Sequence, residues 1–443
     1  MENDIIFKPL EFRRLIVKNR ILRSNISGRF DNYDGSGTPA RINWEEKFAR
    51  GGVGAIISSY VPVHIRGRIL PNYATIDCDA RIPFWRRLGE RVHGYDCKYI
   101  LQLSHAGRQQ DIGGVENLGR KMLSSTSRTE SFHGFECRAM TLAEIKETVQ
   151  HFADGARRAR AAGLDGVELH GANGYLITQF LSAAINDRQD EYGGSLENRA
   201  RFVLDIIRAI RREVGRDFHL QVKISAVDQN NAVIFWEKKG NTLEDTIQIC
   251  KWMEEAGVDA LHISTGSFFP HPNNPPGPLA VDHASRTYDT MISSGRYAFR
   301  NYLLMRYRLL RPIFYFLWNR LRNKNIEGIN VEHAGAIKRQ VKIPVLCTGG
   351  FQTASYIRKV INEGSCDAVT IARSLVANNE LVKIFAQGQD RPDKPCTYCN
   401  KCLVNVLENP IGCYELSRYD GDHEKMMKEI MSVFEPSEFN LIS

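Results

Sequence analysis

The sequence predicts an α/β chain folded as a (β/α)8 barrel, and three observations carry that prediction. One unit recurs: an amphipathic helix ends in glycine, an acidic or small residue follows, and a short apolar strand begins. Its clearest copies are GGVGAIISS at Gly51, AGLDGVELH at Ala162, AGVDALHIS at Ala256 and EGSCDAVTIA at Glu363. Eight strands of this kind can be counted, near 21–27, 54–61, 98–104, 166–170, 219–225, 260–264, 344–348 and 368–372. Helical patterns separate most of them, near 42–50, 81–94, 141–161, 197–213, 242–256, 329–340, 353–362 and 376–387. Polar side chains also collect where strands give way to loops, which is where a TIM barrel places its reactive groups.

Each part of the unit has a physical reason. Glycine suits the left-handed position that ends a helix. A near-continuous apolar run suits a strand buried on both faces of a parallel sheet. Before Gly163, the residues Ile145, Val149, Phe152, Ala156 and Ala159 recur at gaps of 4, 3, 4 and 3, one stripe of a helix. The main rival is a doubly wound sheet, which should carry a glycine fingerprint directly after a strand. The nearest match, Gly35, Gly37 and Ala40 in GSGTPA, follows polar DNYD and reads as a surface turn.

At 443 residues, 43% hydrophobic and 25% charged, the chain is long enough for one large core and an appendage. We expect the barrel over 1–390, an insertion near 285–326 between strands six and seven, and a cysteine-bearing extension with a terminal helix over 391–443. The N-terminus lacks the apolar core of a secretory signal and no apolar run reaches membrane-spanning length, so a cytoplasmic location is the default expectation. The net charge of +8 is local: the segment 296–324 holds eight Arg or Lys and no Asp or Glu. The remainder is close to neutral, which argues against a nucleic-acid-binding surface.

The stretch 165–201 organises the rest. A short strand delivers His170, Asn173 and Tyr175 at its end, and a turn rich in Gly, Asp and Asn precedes a new helix. The combination of HGANGY with DEYGGSLENRARF resembles the old yellow enzyme family of flavin-dependent ene-reductases. That resemblance implies an NAD(P)H-dependent flavin oxidoreductase, with His170 and Asn173 binding the oxygen of a conjugated substrate and Tyr175 donating a proton. A phenol with a usual pKa near 10 suits a donor that must keep its proton at neutral pH.

The resemblance also assigns a flavin bed. Ser27 ends strand one beside the flavin carbonyl, Gln102 in LQLSHAGR stands at the pyrimidine-binding position, and Lys223 in LQVKIS lies near flavin N1 and O2. An amide can donate to and accept from the pyrimidine edge, and a cation stabilises charge collecting there. Gly349 and Gly350 follow strand seven, and Ala372 and Arg373 follow strand eight. Free backbone N–H groups and a planar cation form an anion cradle where barrels commonly hold phosphate. This matches the family's phosphate site and includes no adenine site, so FMN is expected. His105 and His271 are further candidates for the substrate opening.

Two features depart from a plain ene-reductase. PCTYCNKCLVNVLENPIGCYE places Cys396, Cys399 and Cys402 at two-residue gaps, with Cys413 following. Three readings stand for these thiols: a four-iron four-sulfur cluster, zinc, or free redox-active groups. The larger relatives 2,4-dienoyl-CoA reductase and trimethylamine dehydrogenase hold a cluster at similar spacing. They continue into further nucleotide-binding domains, whereas this chain ends about thirty residues after Cys413. The expectation is that a cluster either exchanges electrons with an external partner or is structural.

The second feature is RYAFRNYLLMRYRLLRPIFYFLWNRLRNK, 296–324, where Pro312 should kink or divide a helix. It fits an anionic membrane surface, a subunit contact of a homo-oligomer, or a substrate lid. The sequence leaves open reduction of an activated alkene, a dehydrogenase running the flavin in the other direction, and a non-catalytic electron carrier.

Overall fold

In the computed structural model, eight parallel strands close into a barrel: β1 Ile21–Arg23, β2 Ala55–Ile57, β3 Lys98–Ser104, β4 Gly166–Gly171, β5 His219–Ser225, β6 Ala260–Ser264, β7 Val345–Thr348 and β8 Ala368–Ile371. Each pairs with its neighbour, and β8 returns to β1 with Val369 opposite Ile21 and Thr370 opposite Leu22. The structure describes residues 4–110, 117, 119–228 and 238–435.

The recurring unit is present in all four copies. Gly52, Gly163, Gly257 and Gly364 each hold a positive φ at the turn from helix to strand, a conformation that costs other residues roughly 1–2 kcal/mol. Helices Pro39–Arg50, Ile82–His93, Leu142–Ala161, Leu196–Val214, Leu243–Glu255, Val331–Lys338 and Ala354–Asn362 surround the sheet. Leu142–Ala161 starts in a reciprocal capping box between Thr141 and Glu144, and Ser195 caps Leu196–Val214. Ile145, Phe152, Ala156 and Ala159 of the predicted stripe are buried.

The structure departs from the sequence expectation in two places. The first two strands are short. The β1 ladder ends where the Ser24 N–H donates to Ile371 O at 2.9 Å, so Ser27 reaches its place from a loop. The helix expected over 376–387 is two, Arg373–Ala377 and Leu381–Ala386, separated at Asn378 by φ −141° and ψ 85°. The basic segment divides as expected, into the helices Arg296–Arg306 and Arg311–Leu321. Pro312 lies in the first turn of the second, where a missing N–H removes no helical bond.

Inside the barrel, Glu168 of β4 is fully buried. Its carboxylate accepts from Gln102 Nε2 of β3 at 2.7 Å, Gln221 Nε2 of β5 at 2.5 Å and His262 Nδ1 of β6 at 2.8 Å. His262 Nε2 meets Thr370 Oγ1 of β8 at 2.8 Å. Burial pushes the Glu168 carboxyl up, but the bonds from His262 and Gln221 and the charge of Lys223 outweigh it and hold the pKa below its usual value. Burial lowers His262, so the imidazole is neutral, donating from Nδ1 and accepting the threonine hydroxyl at Nε2.

Truncation at Glu168 leaves three buried donors facing a void. Glu168→Ala is expected to lower stability by about 3–5 kcal/mol, read as a fall in the urea midpoint, with Glu168→Gln losing less because one acceptor remains. A midpoint for Glu168→Ala equal to wild type rules out this network as a stabilising element.

Candidate active site

The strand ends open into a cavity. Ser27, His170, Asn173, Tyr175, Lys223, Gly349, Gly350, Ala372 and Arg373 all line it. Gln102 does not. It stands in register with Glu168 one layer into the barrel, its nitrogen on that carboxylate and its Oε1 buried without a partner. His105 and His271 are buried but also lie off the cavity wall.

At one end, β4 runs into a turn that holds Asn173 at φ +64°, a left-handed conformation asparagine tolerates better than most residues. Three bonds fix it: its N–H donates to Gly266 O at 3.1 Å, its carbonyl accepts from Gln109 Nε2 at 2.8 Å, and its Nδ2 donates to Asn274 Oδ1 at 2.8 Å. Gly174 follows at φ +86°, where a Cβ would stand 2.5 Å from Ser267 O. Tyr175 then precedes the helix Leu176–Leu181.

The rings of His170 and Tyr175 meet edge to face at 4.8 Å, and Tyr60 stands 5.1 Å from Tyr175. Burial drives the His170 imidazole well below its usual pKa, helped by the charge of Lys223, so it is neutral. Its Nδ1 is buried without a partner. Tyr60, Ile69, Leu70 and Tyr73 complete an aromatic and aliphatic wall. Tyr60 follows the apolar run of strand two, so the strand-end rule that found His170 could also have found it.

In the middle, Lys223 Nζ donates to Asn25 Oδ1 at 2.5 Å. Burial lowers its ammonium from the usual 10.5 to about 8, against the opposing charge of Glu168. At the far end Gly349 and Gly350 bring backbone close. A Cβ on Gly349 would lie 3.3 Å from Ile329 N and 3.4 Å from Asn330 N, and Gly350 has φ +72° with Ile326 O 3.0 Å from its would-be Cβ. The Ser374 hydroxyl, on the cavity wall, is buried without a partner. Arg373 Nη1 donates to Pro276 O at 2.7 Å and Asn400 Oδ1 at 2.5 Å. Among the described residues it meets no carboxylate, so a net positive charge remains at this end.

These features fit a bound FMN: a glycine-lined cradle with a cation and an unpartnered hydroxyl for the phosphate, and a buried ammonium for the ring. The four cysteines line one small second cavity, with Arg373 and Tyr398 between the two spaces. Burial raises the thiols of Cys396, Cys399 and Cys402, Cys396 to about 11. Among the described residues no three side chains are gathered closely enough to hold a single ion. A four-iron cluster spreads its thiolates farther apart than one tetrahedral ion does, so the donor set suits the cluster in chemistry without being assembled as a single-ion site.

The extension does more than carry cysteines. Cys402, Leu403, Val406, Leu407 and Ile411 form part of the main cavity wall, a contribution that no local pattern in the sequence signals.

Comparison with known proteins places the chain. A model of the NADH:flavin oxidoreductase / NADH oxidase family matches residues 5–301, and one of the dihydrouridine synthase family matches residues 317–439. An NADH oxidase of Thermoanaerobacter brockii is 34% identical over 424 residues, covering 92% of this chain and 57% of that protein. An NADPH dehydrogenase of Geobacillus sp. (strain WCH70) is 38% identical over 274 residues, covering 60% of this chain and 74% of that protein. A 2-naphthoyl-CoA reductase in complex with 2-naphthoyl-CoA superposes with a TM-score of 0.74 at 24% identity, over 95% of this chain and 58% of that one; the likeness is one of fold.

Lys223 makes stability pH-dependent. From about 8 to about 10.5 the unfolded chain keeps a lysine proton that the folded chain has released, so this group's contribution to stability rises with pH across that window. Urea midpoints of wild type should therefore gain on those of Lys223→Met as pH is raised through this range. Parallel curves for the two proteins contradict the lowered pKa.

Proposed function

The chain belongs to the NADH:flavin oxidoreductase / NADH oxidase family, and from that premise we propose that it reduces the C=C bond of an α,β-unsaturated carbonyl or similarly activated alkene, using FMN and NAD(P)H. The observation that carries this reading is the convergence of His170, Asn173 and Tyr175 on the cavity that Lys223, Gly349, Gly350 and Arg373 also line. Relatives named NADH oxidase and NADPH dehydrogenase support a nicotinamide electron donor.

Gly349, Gly350, Ala372, Arg373 and Ser374 would hold the FMN phosphate, and Ser27 and Lys223 its ring. When bound, FMN supplies two-electron hydride chemistry. Neutral His170 and the second N–H of the Asn173 amide bind the substrate oxygen and draw electron density from the conjugated bond. Asn274 already takes the first N–H, so the amide is oriented before substrate arrives. Tyr175 gives its proton to the α-carbon. The wall of Tyr60, Ile69, Leu70 and Tyr73 excludes water and favours an apolar, flat substrate.

A second reading rests on the four cysteines around one cavity beside Arg373. With a four-iron four-sulfur cluster there, the protein would be a dehydrogenase passing electrons to an external partner. Iron and sulfide analysis of anaerobically purified protein decides the cluster: about four of each per chain supports it, and absence of both removes this reading.

For the ene-reductase reading, anaerobic NADPH or NADH should bleach the bound flavin, and 2-cyclohexenone should restore it. Tyr175→Phe should leave bleaching unchanged and slow the recovery by about 100-fold to 10,000-fold. Recovery as fast as wild type would exclude Tyr175 as the proton donor, and failure of both nucleotides to bleach the flavin would reject the NAD(P)H-dependent assignment.

A further inference from the structure

The helix pair Arg296–Arg306 and Arg311–Leu321 carries apolar residues on its outer face as well as its inner one. Its inner face is satisfied: Ala298, Tyr302 and Trp318 are buried, and Trp318 Nε1 donates to Gly277 O at 2.8 Å. Its outer face is apolar. Ile313, Phe316, Leu317 and Leu321 fall at i, i+3, i+4 and i+8, one stripe of the second helix, and all are exposed. Leu309, in the turn between the helices, is 91% exposed, and Phe316 is 62% exposed. A cluster of this kind on a folded surface marks an interaction site rather than chance exposure.

The apolar face is flanked by cations at both ends: Arg306 and Arg308 before it, Arg320, Arg322 and Lys324 after it. Among the described residues Arg311 alone of the segment's basic side chains reaches a carboxylate, Asp282 at 2.7 Å. The others are unneutralised, and the segment itself contains no acid.

We propose that this outer face docks on an anionic membrane surface, with Leu309, Ile313, Phe316 and Leu317 entering below the headgroups and the flanking arginines lying among the lipid phosphates. An interfacial helix needs both elements together, an apolar face and a basic rim with no acid to repel the surface. Neither helix is long enough to cross a bilayer, and among the described residues no helix is long and apolar enough to do so, so the contact is peripheral. Asn273, on the cavity wall, bonds both Leu321 O and the Asn323 N–H. The docked element is therefore tied to the loop that borders the active-site cavity.

The test is co-sedimentation of the full flavin-loaded chain with phosphatidylcholine vesicles, with and without phosphatidylserine. The protein should pellet with the anionic vesicles and be released by high salt. Leu309→Asp with Phe316→Asp should abolish pelleting. Arg306→Gln, Arg308→Gln and Arg320→Gln should each weaken it about five-fold. All these residues lie away from the cavity wall, so the visible flavin spectrum should not change. Failure to pellet, or pelleting indifferent to lipid charge and to every variant, overturns the proposal. So does conversion of a dimer to a monomer by the apolar variants in sedimentation velocity without vesicle binding, which would make the face a contact between two copies of the chain.

Discussion

The barrel is organised around one buried carboxylate. A charged glutamate at the centre of a close-packed interior is tolerated only when its oxygens are occupied by donors. Glu168 obtains them from Gln102, Gln221 and His262, and His262 is held in turn by Thr370. Five of the eight strands are joined through this chain of bonds. Because hydrogen bonds demand both distance and direction, it fixes the registers of those strands as apolar packing alone does not.

That carboxylate also sets the electrostatics one layer up. Lys223 and His170 face each other in register on β5 and β4, and burial works against a proton on both. The negative charge below opposes this at Lys223, whose pKa falls only to about 8. His170 receives no such help and sits beside the Lys223 charge, so it falls well below its usual value. The layer therefore presents one cation and one neutral imidazole at physiological pH, because burial lowers both from usual values of 10.5 for the lysine and 6.5 for the histidine.

The cysteine-bearing extension belongs to the same site. Arg373 leaves the end of β8 and bonds Asn400 in the cysteine segment, while the Tyr398 hydroxyl donates to Gly350 O. The end of the cavity at Gly349, Gly350 and Arg373 and the thiol cavity thus share a wall, and Cys402, Leu403, Val406, Leu407 and Ile411 line the main cavity. The cavity is built by β4, the loop after β2, the loop after β6 and this extension together.

The amino-acid sequence by itself determined the barrel, because helix-ending glycine followed by a buried apolar strand is a local pattern repeated often enough to count. It also made most of the cavity lining legible, since a parallel barrel collects whatever stands at its strand ends; His170, Asn173, Tyr175, Lys223, Gly349, Gly350, Ala372 and Arg373 all line the cavity for that reason. Pro312 showed where the basic segment divides. Only the tertiary structure decided that Gln102 faces Glu168 off the cavity wall, that Asn274 orients Asn173 from about a hundred residues away, that the extension walls the cavity, and that the apolar stripe of Arg311–Leu321 points outward. Each of these depends on distant segments meeting, and sequence spacing carries no information about which side chain a buried donor finds or which face of a helix is already covered.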